Sequence, residues 1–87
     1  MYSVVLSRRA EKYLEKLDSH ISKRIEERLK NLKAVPVPSD AKYIERDKGD
    51  KVFRYRIGDY RALYKLKEKE RIVLIARIDK RPRIYNR

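Results

Sequence analysis

Cysteine is absent from the 87 residues, which excludes disulfides and thiolate metal sites and gives no sign of an oxidising compartment. A cytoplasmic setting is the simple expectation. The longest apolar run falls well short of the roughly 20 residues that span a bilayer. The opening stretch Tyr2-Ser3-Val4-Val5-Leu6 is also too short for a signal-peptide core, so no membrane partner is expected. Glutamine is missing and asparagine occurs only at Asn31 and Asn86, a bias shared by heat-adapted proteins. His20 is the single histidine, so paired-histidine ribonuclease chemistry is excluded and a histidine-rich metal site is disfavoured. No cofactor or metal is expected. Glycine is confined to Gly49 and Gly58, and no repeat or low-complexity segment occurs.

Basic charge is abundant. Lysine and arginine number 25 against 13 acidic residues, giving a net charge of +12, which favours nucleic acid or an acidic protein as partner. Residues 1–40 carry nine basic and six acidic side chains, whereas residues 41–87 carry sixteen and seven. The second half is therefore the expected electrostatic footprint. The length suits one domain, residues 1–87, with a modest core.

Periodicity gives the element order. Tyr2 to Leu6 reads as a strand, and Ser7 can cap the helix that follows. Ala10, Tyr13, Leu14 and Leu17 recur at helical spacing. After Asp18-Ser19-His20, the series Ile21, Ile25, Leu29, Leu32 predicts a second helix, and the short link makes a helical hairpin. Pro36 and Pro38 end it and make residues 34–40 an extended connector. Lys42–Arg46 reads as a short optional edge strand, while 51–57, 60–67 and 72–78 read as stronger strands. Ile72-Val73-Leu74-Ile75-Ala76 is apolar throughout and suits a central strand covered on both faces. The expected class is α+β: a small twisted, mainly antiparallel sheet with an N-terminal helical hairpin on one face, ordered β-α-α-β-β-β with one possible extra strand.

The run Phe53-Arg54-Tyr55-Arg56-Ile57-Gly58-Asp59-Tyr60-Arg61 carries the functional signal. Alternation sends Phe53, Tyr55 and Ile57 to one face and Arg54 and Arg56 to the other. A two-residue turn at Gly58-Asp59 would set Ile57 against Tyr60 and Arg56 against Arg61. Three guanidiniums then share a face whose only interleaved acid is Asp59 in the turn. Like charges opposed across a sheet are unfavourable, so the cluster calls for an anionic partner. Lys51 and Lys80 lie close to it in sequence.

Three stretches together resemble the RelE side of the RelE/ParE superfamily of toxin-antitoxin toxins, particularly its archaeal members. They are Ala10-Glu11-Lys12-Tyr13-Leu14-Glu15-Lys16-Leu17, Tyr55-Arg56-Ile57-Gly58-Asp59-Tyr60-Arg61-Ala62-Leu63-Tyr64, and Lys80-Arg81 followed by Tyr85. The middle motif is the specific one. The resemblance implies a metal-independent mRNA endoribonuclease that cuts message in the ribosomal A site and is silenced by an acidic RelB-like antitoxin in a hetero-oligomer. By position it assigns catalytic roles to Arg54, Arg56, Arg61, Arg81 and Tyr85; the basic residues Lys51 and Lys80, near the patch in sequence, and Arg83 of the basic tail are expected as further RNA contacts. Bacterial relatives carry lysines at the positions of Arg54 and Arg56, and many carry histidine at that of Lys80. Arginine stays protonated, so these residues suit phosphate binding better than proton abstraction. Two rival classes stand beside this reading: a ParE-like toxin that blocks a topoisomerase without nuclease activity, and a catalytically weakened RNA-binding module.

Overall fold

The computed structural model describes residues 1–80. Five strands form one open mixed sheet: β1 (Ser3–Leu6), β2 (Ala41–Asp47), β3 (Asp50–Ile57), β4 (Tyr60–Lys67) and β5 (Ile72–Lys80), in spatial order β1-β5-β4-β3-β2. Two helices, α1 (Arg8–Glu15) and α2 (Ser19–Lys30), separate β1 from β2, with a 3₁₀ turn at Asn31–Lys33. The α+β architecture is as expected, and the optional strand at residues 42–46 is present as a full edge strand.

Local chemistry explains these boundaries. Ser7 Oγ accepts from the Ala10 amide at 3.0 Å, capping α1, and donates to the Ala76 carbonyl at 2.8 Å, which ties the helix start to β5. Lys48 and Gly49 both take positive φ in the β2–β3 turn. Gly58 alone does so in the β3–β4 turn, at +61°, the pattern of a type II′ hairpin.

The helix-side face of the sheet carries the core. Leu14, Ile25, Leu29 and Leu32 meet Phe53, Tyr55, Ile57, Tyr64, Val73, Ile75 and Ile78, all buried. Each such side chain contributes about 1.5–3 kcal/mol of apolar burial. Aromatic rings join neighbouring strands: Phe53 stacks on Tyr64 at 5.4 Å, and Tyr43 and Tyr55 meet these rings edge-on. Tyr64 is fully buried, yet its hydroxyl donates to the Pro36 carbonyl at 2.7 Å and so pins the proline connector to the core. Burial, with the nearby Tyr55 and Asp40, pushes its phenol well above the usual tyrosine range.

β5 lies between β1, to which it runs parallel, and β4. Val73 and Ile75 are fully buried on the helix side, whereas Ile72 and Leu74 on the other face are half-buried. A β-bulge interrupts the β4–β5 ladder, so that Tyr64 faces Ile75 but Leu63 faces Arg77. The extra residue, Ala76, reverses the alternation: Ile78 returns to the core, while Arg77 and Asp79 turn to the opposite face.

Candidate nucleic-acid interface

The β3–β4 hairpin sets Arg56 directly opposite Arg61 and Ile57 opposite Tyr60, as the two-residue turn requires. Arg54 pairs across the other ladder with Lys42 of β2, a cation the sequence pattern did not assign to this face. Arg54 is half-buried and Arg56 is exposed, its Nε donating to the Gly58 carbonyl at 3.3 Å. Arg61 is only 6 % exposed, so it is a built-in part of the sheet face rather than a loose surface cation.

Its neighbour across the β4–β5 ladder is Asp79, itself 8 % exposed. Asp79 Oδ2 accepts from Arg77 Nη2 at 3.2 Å, and Oδ1 accepts from the Lys80 amide at 2.9 Å. The expectation that Asp59 is the only acid interleaved with the arginines is therefore corrected. The Ala76 bulge is the cause, because strict alternation from Val73 and Ile75 would have turned Arg77 inward and Asp79 with it.

The far end of the same face is neutralised. Lys65 Nζ lies 2.7 Å from Asp47 and Lys67 Nζ 2.9 Å from Asp50. Lys65 holds the Asp47 carboxyl below the usual carboxylate range, and Asp50 holds the Lys67 ammonium above the usual lysine range. The net positive field is thus concentrated at the hairpin end.

There a cleft of about 450 Å³ is lined by Arg28, Asp40, Lys42, Arg54, Arg56, Gly58 and Arg61. Five cations and one carboxylate share it. Arg28 comes from α2, and no spacing along the chain placed it here. Its guanidinium lies 5.4 Å over the Tyr55 ring, and Nη2 donates to the Tyr55 hydroxyl at 3.3 Å and the Arg56 carbonyl at 3.4 Å. The fold explains the last contact. β2 begins only at Ala41, opposite Tyr55, which leaves the next stretch of the β3 edge open to the helix.

Other expected site residues lie elsewhere. Lys51 pairs with buried Leu66 and by alternation belongs to the helix-side face, so it does not join the arginines. Lys80 is exposed at the end of β5, opposite Tyr60, also on the helix side of the ladder. Arg81, Arg83 and Tyr85 lie outside the described residues. His20 sits exposed in the first turn of α2. Among the described residues, no three His, Cys, Asp or Glu side chains converge as a metal site would require. Nor is any described helix long and apolar enough to cross a membrane.

Comparison with known proteins gives a consistent picture. Residues 4–85 match the family described as the ParE toxin of the type II toxin-antitoxin system parDE. The protein named "Putative toxin RelE1" of Methanocaldococcus jannaschii is 34% identical over 85 residues, covering 97% of this chain and 94% of that one. Among solved structures, the archaeal RelE–RelB complex from Pyrococcus horikoshii superposes with a TM-score of 0.83 at 28% identity, covering 94% of this chain and 97% of the other. The RelBE2 toxin-antitoxin complex from Mycobacterium tuberculosis gives 0.78 at 30% identity, covering 92% and 98%.

Proposed function

Because this chain belongs to the RelE/ParE family of type II toxin-antitoxin toxins, we propose that it is a ribosome-dependent endoribonuclease that cuts messenger RNA and so arrests translation in the cytoplasm. The carrying observation is the cleft in which Arg28, Lys42, Arg54, Arg56 and Arg61 converge, while Lys65 and Lys67 farther along that sheet face are paired with Asp47 and Asp50.

Cleavage of RNA by its own 2′-hydroxyl forms a bond from the 2′-oxygen to phosphorus and breaks the bond to the 5′-oxygen. It needs a base at the first oxygen, cations at the phosphate and an acid at the leaving oxygen. Planar guanidiniums meet the second need, since their forks bind phosphate oxygens in pairs and hold the charge of the pentacovalent state. Arg61, fixed in the sheet, serves as the preorganised donor, and exposed Arg56 reaches the substrate from the hairpin. Arg54 and Lys42 extend the track along the backbone. The family resemblance adds Arg81 as a further cation and Tyr85 as an aromatic suited to stacking on a base or bonding to phosphate. Permanently charged Arg54 and Arg56 leave proton transfer to other groups.

The partner in the two solved complexes is an antitoxin. An acidic antitoxin of that kind is the proposed inhibitor here, in a hetero-oligomer with this chain. Co-purification with the product of a neighbouring acidic open reading frame tests that part.

Programmed ribosomes incubated with the protein should show A-site cuts. These cuts should disappear in Arg56→Ala and Arg81→Ala variants that keep the wild-type melting profile; cutting retained in both refutes the assignment. The matching family bears the ParE name, so a topoisomerase-blocking toxin is the rival reading. Inhibition of DNA supercoiling without any ribosomal cutting would decide for that rival.

A further inference from the structure

Arg28 and Asp40 come from the helix layer and the connector, yet both line the arginine cleft. Their closest approach is 3.6 Å, between Arg28 Nη2 and Asp40 Oδ2, beyond good hydrogen-bond length, and their side chains are 40% and 56% exposed. Such a long, exposed pair is weak. A phosphate oxygen offered to the same guanidinium would form a shorter, charge-assisted bond. Arg28 is meanwhile held in place without Asp40, by the Tyr55 ring beneath it and by the Tyr55 hydroxyl and Arg56 carbonyl. Both hydrogen bonds use Nη2, and a guanidinium also carries N–H donors on Nε and Nη1.

The geometry points to Arg28 as an RNA phosphate contact and to Asp40 as the internal counter-ion that the phosphate displaces. The inference rests on the RNA reading given above and deepens it. RNA lying on Arg54, Arg56 and Arg61 then continues around the open edge of β3 onto α2, so the binding track spans both layers of the fold. Asp40 sets the affinity of that track. With no phosphate present it satisfies Arg28, and with phosphate present it repels the incoming charge.

The test uses the full chain and a short single-stranded RNA, 2′-O-methylated throughout so that it cannot be cut. Binding is followed by fluorescence anisotropy between about 50 and 200 mM salt. Losing one phosphate contact lowers the log–log salt slope by about 0.7 for single strands. Arg28→Gln should show that drop, and Arg28→Lys, which keeps the charge, should restore most of the slope. Asp40→Asn should bind about fivefold more tightly at low salt, as expected for one charge removed near 4 Å in a water-like medium, with the gain shrinking as salt rises. A gain in affinity cannot come from misfolding, so Asp40→Asn guards against a trivial loss in the arginine variants. An unchanged slope in Arg28→Gln, or no tightening in Asp40→Asn, overturns the inference. If that happens while wild-type protein still cuts programmed ribosomes, the nuclease reading survives alone. If the slopes behave as expected but ribosomes stay uncut, the RNA contact stands and the nuclease reading falls.

Discussion

Replacing Asp79 by asparagine isolates the charge that the Ala76 bulge brings to the arginine face. Asparagine keeps the shape, and its Oδ1 can still accept from the Lys80 amide, now at 2.9 Å. Its amide nitrogen, however, replaces the oxygen that lies 3.2 Å from Arg77 Nη2 and so sets a donor against a donor. A hydrogen bond to a charged group is worth about 1.5–3 kcal/mol. The Asp79 side chain is 11% exposed and that of Arg77 31%, so solvent screens one partner only partly, and about 2 kcal/mol is the reasonable loss. For a domain of this size each kcal/mol moves Tm by roughly 4–8 °C, so Asp79→Asn should melt about 8–16 °C below wild type. Thermal melts by circular dichroism measure this directly. A cycle with Arg77→Met should then show coupling of about 1–2 kcal/mol between the two positions. A fall in Tm below about 3 °C, or strict additivity in the cycle, would refute the pairing as a source of stability.

Removing the Tyr64 hydroxyl in Tyr64→Phe leaves the half-buried Pro36 carbonyl without this donor and should cost about 1 kcal/mol in urea unfolding, with no change in m; a neutral result would deny the connector its anchor. Asp47 titrates below its ordinary range beside Lys65, so its contribution to stability is present above that range and is lost as pH falls through the lowered value. Lys67, raised by Asp50, contributes fully below the usual lysine range and loses that contribution as pH rises through the raised value. Melts should therefore be flattest between about pH 5 and 10, and Lys65→Gln should shrink the acid limb, an effect absent if the pair is idle. Gly58→Ala meets no atom within 4 Å but must adopt φ +61°, so about 1 kcal/mol should be lost through strain alone, and Gly58→Asn should recover part of it.

The hairpin was legible because a two-residue turn fixes register: once Gly58-Asp59 is recognised, the pairing of Arg56 with Arg61 has no freedom left. The helix stripes were legible for the same kind of reason, since Leu14, Ile25 and Leu29 recur with the period of the helix that buries them. Asp79 was not. A bulge is one residue without a partner, and nothing in Ile75-Ala76-Arg77-Ile78 distinguishes a regular strand from one that switches faces at Ala76. Arg28 and Asp40 were hidden differently, for they reach the cleft through packing of α2 and the connector against the open β3 edge, a contact between segments far apart in sequence. Lys51 shows the limit of proximity along a chain: it stands three residues before Arg54 and therefore on the other face.

The parallel pairing of β1 with β5 joins the first strand to the last, Ser3 to Ile72 and Leu6 to Ile75, and Ser7 Oγ closes the same link at Ala76. For a chain emerging from a ribosome this imposes an order of assembly. The β3–β4 hairpin can form as soon as both strands are out, whereas β1 must wait, unpaired, until β5 has been made. The arginines are thus gathered early, but the sheet that holds Arg61 against Asp79 closes last. A nascent chain arrested before Ile72 should therefore remain protease-sensitive at β1, and protection should appear only once β5 has cleared the exit tunnel.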